Sequence, residues 1–123
     1  MNILELVKSN KTQNIYKGNI GESLAENYLL EKGYDIIETK YKNKIGEIDI
    51  IAKDGNRIVF VEVKARATAR FGYPREAVDF RKQQKIKMVA NIYLKSHNLF
   101  GSFTRYDVIE ILAGEITHLI AAF

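Results

Sequence analysis

The sequence predicts an α/β domain in which a single mixed β-sheet is flanked by helices. Two segments have apolar residues at helical spacing, and five short segments have the apolar character of strands. Their order along the chain is α-β-β-β-α-β-β, which is typical of helices packed on one mixed sheet. With 123 residues and no cysteine, the chain is long enough for one core without disulfides or cysteine-bound zinc. We expect one domain over residues 1–123, with residues 1–15 forming a loose arm or a short helix.

The first helix and the first strand are predicted close together. Apolar residues at helical spacing predict the helix over Asn19–Lys32, and Gly33 supplies a natural C-terminal stop. Tyr34–Thr39 is then predicted to be a short strand.

A β-hairpin is predicted next. Ile45–Ala52 and Arg57–Lys64 are rich in β-branched residues, which favours strands. Lys53–Asn56 separates them and contains the Asp-Gly pair typical of a tight turn.

The second helix and the last two strands complete the predicted order. Pro74 fits the first turn of a helix that runs to about Lys95. Arg105–Leu112 and Glu115–Ile120 are predicted strands that meet at a turn near Gly114.

The hairpin carries charged residues among its apolar ones. Strand side chains alternate between faces, so a hairpin that is symmetric about Asp54 and Gly55 gathers four charges on one face. These are Glu47, Asp49, Glu62 and Lys64. In this register Asp49 lies opposite Phe60 and Glu47 lies opposite Glu62. The other face would then be apolar and would consist of Ile48, Ile50, Val59, Val61 and Val63. A turn with one extra residue would change the register.

Carboxylates placed side by side in a sheet need a positive partner, because each loses hydration and repels the other. Lys64 is one candidate partner. A divalent cation is the other, since oxygen ligands suit Mg²⁺ or Mn²⁺. A half-exposed sheet with a cross-strand salt bridge explains the pattern equally well. Metal ligands at Asp49, Glu62 and the Val63 carbonyl, with Lys64 beside them, are nevertheless the groups that phosphodiester hydrolysis requires.

The charge distribution predicts a polyanionic partner. The chain has 19 basic and 15 acidic side chains, and the segment from Lys64 to Lys87 has eight basic residues against two acidic ones. We expect this segment to bind nucleic-acid phosphates, although a solvated helix face has the same composition. The candidate residues are Arg66, Arg70, Arg75, Lys82 and Lys85. No apolar run approaches membrane-span length and no signal peptide is evident, so we expect a cytoplasmic protein without membrane contact.

An ordered set of motifs from about Tyr16 to Ile111 identifies a family resemblance. The set is KGNIGESLAENYLLEKGY, GEIDIIAKDG, VFVEVKAR, FGYPREAVDFRKQQKI, ANIYL and RYDVIEI. It resembles the YraN family of small bacterial proteins, which is related to archaeal Holliday-junction resolvases in the PD-(D/E)XK nuclease superfamily. The sequence departs from the family pattern at Lys40, near which Asn is common. The resemblance implies a restriction-endonuclease-like core.

The resemblance also implies an activity and its residues. It assigns catalysis to Asp49, Glu62 and Lys64, adds Glu22 from the first helix, and places Gln83 near the phosphate. The implied function is a Mg²⁺- or Mn²⁺-dependent endonuclease that hydrolyses DNA, including branched DNA of the Holliday-junction type. A homodimer would match the two-fold symmetry of such a junction. The alternative is a non-catalytic nucleic-acid-binding or adaptor domain that retains the fold, because a fold does not fix a function.

Overall fold

The computed structural model describes residues 20–66 and 78–123, which form a five-stranded sheet with one helix on each face. The elements in chain order are α1 (Glu22–Glu31), β1 (Asp35–Lys42), β2 (Glu47–Asp54), β3 (Arg57–Arg66), α2 (Phe80–Ser96), β4 (Thr104–Leu112) and β5 (Glu115–Leu119). This order confirms the predicted α/β class and its α-β-β-β-α-β-β sequence. Residues 1–15, for which an arm was predicted, and Pro74 lie outside the described residues. Neither described helix is long and apolar enough to cross a membrane.

The sheet is mixed because one of its connections crosses over. The strands follow the order β1-β2-β3-β4-β5, and all neighbours are antiparallel except β3 and β4. A parallel pair requires a crossover connection, and α2 lies in the segment that joins β3 to β4. The crossover places α2 against the sheet face opposite to α1.

Each helix closes its own hydrophobic core against the central strands. On the α1 face, Ala25 and Leu29 pack in a cluster with buried residues of β2, β3 and β4. On the α2 face, Phe60 and Tyr93 belong to a second cluster, and their rings meet edge to face with centroids 6.0 Å apart. Burial on both faces explains why β3 is almost continuously buried from Ile58 to Ala65.

The hairpin register differs from the predicted one. Asp54 pairs with Arg57, and Gly55 takes the first of the two turn positions at a φ of 62°, a conformation that glycine adopts without steric cost. Ile51 therefore lies opposite Phe60. The predicted pairs Asp49–Phe60 and Glu47–Glu62 are wrong, because the turn is centred one residue further along the chain.

The start of β2 also differs from its predicted position. Asn43 Oδ1 accepts hydrogen bonds from the backbone N–H groups of Ile45 and Gly46, and its side chain donates to the Val89 carbonyl of α2. These bonds hold residues 43–46 in a turn against α2. The strand consequently begins at Glu47 instead of Ile45.

A buried polar network ties β4 to β5 on the side of α1. Arg105 donates to both carboxylate oxygens of Asp107 at 2.9 Å, and His118 Nε2 lies 2.7 Å from Asp107 Oδ2. Burial alone would raise the pKa of Asp107, but the hydrogen bonds from His118, Arg105 and the Ala121 N–H lower it below its ordinary value. Tyr28 Oη lies 3.2 Å from His118 Nδ1, which links this network to α1.

Candidate metal centre

The β2–β3 ladder opens at Asp49. Its last regular pair is Ile50–Val61, and beyond it Asp49 Oδ2 accepts a hydrogen bond of 2.8 Å from the Val63 N–H. Ile48 packs in the α2-side cluster, whereas Ile50 packs on the α1 side. The regular alternation of β2 is thus interrupted at Asp49, and the prediction that Ile48 shares a face with Ile50 is wrong. The opening brings a carboxylate between two strands.

Three carboxylates converge at this opening. Oxygen atoms of Glu22, Glu47 and Asp49 all lie within 4.8 Å of one another. Glu22 comes from the first turn of α1, where the helix dipole favours an acidic residue, and the other two come from the start of β2. Glu22 and Asp49 are each only 8% exposed, whereas Glu47 is exposed. The cluster is therefore open to solvent on one side.

The carboxylates of the cluster repel one another. Burial, followed by the charge of Asp49, raises the pKa of Glu22 above its ordinary value. Lys40 opposes this effect, because its Nζ lies 3.9 Å from Glu22 Oε2, but its side chain is 59% exposed. An exposed lysine offsets buried acidic charge only weakly. Lys40 thus offsets the negative charge around Glu22 only in part.

Lys40 occupies an unusual backbone conformation. It lies in β1 across from Asp49, between the pairs Thr39–Ile50 and Tyr41–Ile48, and its φ is 53°. This left-handed region costs an L-residue with a side chain about 1 kcal/mol, whereas asparagine and glycine enter it more readily. Lys40 therefore occupies a strained position beside the acidic cluster.

A second charged group lies next to the cluster on β3. Glu62 Oε1 is 3.5 Å from Lys64 Nζ and 3.6 Å from Lys82 Nζ, and the Glu62 side chain is 4% exposed. Lys64 is 9% exposed, and Lys82 reaches this oxygen from the first turns of α2. A buried carboxylate requires such partners, because it has lost its hydration.

One cavity joins the acidic cluster to the β3 group. It has a volume of about 280 Å³. Its charged lining consists of Glu47, Asp49, Glu62, Lys82 and Lys85, and its apolar floor is formed by Ile86 and Val89 of α2. The cavity therefore presents carboxylates inside and lysines from α2 on one wall.

The donor set fits a hard divalent cation. Three carboxylates with oxygens within 4.8 Å of one another, one of them solvent-exposed, are ligands of the kind that Mg²⁺ and Mn²⁺ prefer. The N–H and C=O of one strand residue point to the same edge of the strand. Because the Val63 N–H points to Asp49, its carbonyl is directed to the same opening. The acidic cluster could thus hold the cation, with the Val63 carbonyl as the predicted backbone ligand.

The structure brings the four predicted catalytic residues, Asp49, Glu62, Lys64 and Glu22, to one region. Glu47 was not among the predicted metal ligands, although it lies in the three-carboxylate cluster and Glu62 does not. The sequence signal for Glu47 was its acidic side chain in an apolar strand. The roles of Glu62 and of the Val63 carbonyl as metal ligands stay predictions.

The predicted nucleic-acid-binding residues occupy different places. Lys82 and Lys85 line the acidic cavity, and Arg66 ends β3. Gln83 instead lines a second cavity of about 150 Å³ together with Glu110, and its Nε2 donates to the Val78 carbonyl. Arg70 and Arg75 lie outside the described residues.

Comparison with known proteins identifies a family. A model of the uncharacterised protein family UPF0102 matches residues 21–111. A UPF0102 protein of Clostridioides difficile is 51% identical over 109 residues, which cover 87% of this chain and 96% of that protein. UPF0102 proteins of Caldanaerobacter subterraneus and Persephonella marina are 47% and 41% identical, covering 86% and 87% of this chain and 93% and 92% of those proteins.

Proposed function

We propose that this chain, which belongs to the UPF0102 family, is a metal-dependent endonuclease that hydrolyses DNA. Its family membership confirms the predicted resemblance to the YraN family. One observation carries the proposal. Three carboxylates meet within 4.8 Å at a gap in the sheet, in the same region as a lysine held against a fourth carboxylate. The relatives' printed names state no activity, so the proposal depends on the chemistry of this site.

The cation is proposed to be Mg²⁺ or Mn²⁺, held by Asp49, Glu22 and Glu47 with the Val63 carbonyl. Glu62, which lines the same cavity, is proposed as a further ligand. When bound, it would supply positive charge to the scissile phosphate and lower the pKa of a nucleophilic water. The protein's part is to fix the carboxylates in place. Asp49 is held by its bond to the Val63 N–H, and Glu22 by the first turn of α1.

Lys64 is proposed to act directly on the reacting group. Its ammonium is buried and lies 3.5 Å from Glu62 Oε1, so Glu62 holds it in a defined position. A positive charge fixed in advance stabilises the negative charge that develops on a phosphate during hydrolysis, because it needs no reorganisation at that moment. Lys64 would also donate a hydrogen bond that orients the attacking water.

The substrate is proposed to be DNA, with branched DNA of the Holliday-junction type as its preferred form. Support comes from the formal net charge of +4 and from Lys82 and Lys85 on the cavity wall, which suit a phosphate backbone. The relationship of the YraN family to junction resolvases favours the branched form. Such a junction has two-fold symmetry, so we propose a homodimer as the acting species. We also propose a cytoplasmic location, where such a DNA substrate would be available.

Separate variants test the proposed roles. Lys64→Ala should retain Mn²⁺ binding and DNA binding but lose cleavage of four-way DNA by on the order of 10²-fold, as expected for a preorganised charge that acts in the transition state. Asp49→Asn should lose both Mn²⁺ binding and cleavage. If Lys64→Ala cleaves DNA as fast as the wild type, the role proposed for this lysine is wrong. If wild type binds four-way DNA but never cleaves it, the chain is instead a non-catalytic binding domain.

A further inference from the structure

Glu62 has two lysine partners of different character. Lys64 belongs to the same strand and is 9% exposed, whereas Lys82 comes from α2 and is 39% exposed. Both ammonium groups approach the same oxygen, Oε1, at 3.5 Å and 3.6 Å. One lysine already balances the charge of one carboxylate. If Lys82 moves away, Lys64 therefore still balances the negative charge of Glu62.

The backbone of Lys82 is fixed at the start of α2, whereas its side chain reaches Glu62 through an ion pair. Its N–H donates to the Asp79 side chain at 2.9 Å, which caps α2 and fixes the first turn. The four-carbon side chain then extends into the cavity that Asp49 and Glu47 also line. A long flexible side chain on a fixed helix end can change position without disturbing the fold.

A divalent cation in this cavity would alter the balance at Glu62. The carboxylate would gain attraction to the ion, and the ammonium group of Lys82 would be repelled by it, since both positive charges would lie beside the same carboxylate. Lys64 is enclosed in the sheet and cannot move away as readily. Lys82 is partly exposed on the cavity wall and can turn toward solvent.

We infer that Lys82 and the divalent cation compete for Glu62, and that entry of the cation releases the Lys82 ammonium to contact a DNA phosphate. This inference rests on the proposed metal centre. The Lys82 side chain then has two positions, one beside Glu62 and one on a DNA phosphate. Metal binding and DNA binding are then coupled, because the cation frees a positive group for the polyanion.

Mn²⁺ titration by calorimetry tests the competition. Lys82→Met should bind Mn²⁺ about two- to fivefold more tightly than wild type, the ratio expected for the loss of a partly exposed ion pair. Lys85→Met is the matched control, because Lys85 lies on the same helix, lines the same cavity and forms no ion pair with the described residues. Its Mn²⁺ affinity should change by less than about twofold, since an exposed charge without direct contact is largely screened.

Lysine acylation followed by mass spectrometry provides a second measurement on the wild type. Addition of Mn²⁺ should increase the acylation rate of Lys82 several-fold and leave that of Lys85 nearly unchanged. Equal Mn²⁺ affinities in wild type and Lys82→Met would overturn the competition while the metal centre stands. So would an equal gain in Mn²⁺ affinity in Lys82→Met and Lys85→Met. Absence of Mn²⁺ binding in the wild type would remove the metal centre and the competition together.

Discussion

Asp49→Asn is the substitution that separates the metal response from the stability of the fold. In the wild type, Asp49 has carboxylate oxygens of Glu22 and Glu47 within 4.8 Å. Glu47 is exposed, so solvent largely screens its repulsion of Asp49. The buried Glu22–Asp49 pair repels by about 3 kcal/mol at an effective dielectric constant of about 20, before any offset by neighbouring positive charges. The amide oxygen of asparagine can still accept the hydrogen bond from Val63 N–H, at a loss of about 1 kcal/mol relative to the carboxylate.

From these two effects, the metal-free variant is expected to be up to about 2 kcal/mol more stable than the wild type, once the weaker hydrogen bond is subtracted from the relieved Glu22–Asp49 repulsion. Saturating Mn²⁺ should instead stabilise the wild type more than the variant. At a concentration about 100 times its dissociation constant, the ion stabilises the wild type by about 2.7 kcal/mol. For a domain of this size that corresponds to a Tm increase of roughly 10 °C. The variant should lose most of this increase.

Thermal unfolding followed by circular dichroism, with EDTA and with a series of Mn²⁺ concentrations, measures both effects. Asp35→Asn is the matched control, because it removes one carboxylate at the exposed start of β1, away from the three-carboxylate cluster. It should keep the wild-type response to Mn²⁺. An equal Mn²⁺ response in wild type and Asp49→Asn would refute the metal centre. A large loss of stability in metal-free Asp49→Asn would refute the electrostatic argument.

Three further predictions concern stability and DNA binding. Because the pKa of Asp107 is lowered in the folded state, Asp107 contributes stability that is present above the unfolded pKa of about 3.9 and is lost as the pH falls through the folded pKa. Urea unfolding between pH 7 and pH 3 should show this loss of stability. Asp107→Asn should flatten the pH dependence and lower the free energy of unfolding at pH 7 by about 3 kcal/mol or more. Lys40→Gly should be about 1 kcal/mol more stable to urea than Lys40→Ala, because only glycine fits a φ of 53° without strain; equal stabilities would contradict that strain. DNA affinity, measured by fluorescence anisotropy, should fall steeply with salt, and charge removal at Arg70 and Arg75 should reduce the slope by about 1 per lost phosphate contact; affinity that is insensitive to salt would contradict a phosphate interface.

The element order could be predicted from local patterns, whereas the strand register could not. Periodicity and turn residues determine which segments are helices and strands, and these signals are read within a few neighbouring residues. The register depends on which two residues form the turn, and Asp54-Gly55 and Gly55-Asn56 both satisfy the general preference. The start of β2 depends on Asn43 and its bond to Val89, a contact between residues far apart in sequence.

The sequence predicted which residues form the candidate site better than it predicted how those residues are arranged. An acidic residue in an apolar strand is a local signal, which is why Asp49 and Glu62 stand out from the sequence. The convergence of Glu47 with Glu22 depends on where α1 packs on the sheet, and the contact of Lys82 with Glu62 depends on the crossover through α2. Both are tertiary contacts that no short motif encodes.

Cleavage of DNA is the measurement that tests the central claim most directly. Purified wild type and Asp49→Asn are incubated with Mn²⁺ and end-labelled linear, nicked and four-way DNA, and the products are separated on denaturing gels. The account predicts strand cleavage by the wild type, greatest on four-way DNA, its loss in EDTA, and no cleavage by Asp49→Asn. Wild-type products that never exceed those of the Asp49→Asn control on any of the substrates would contradict it.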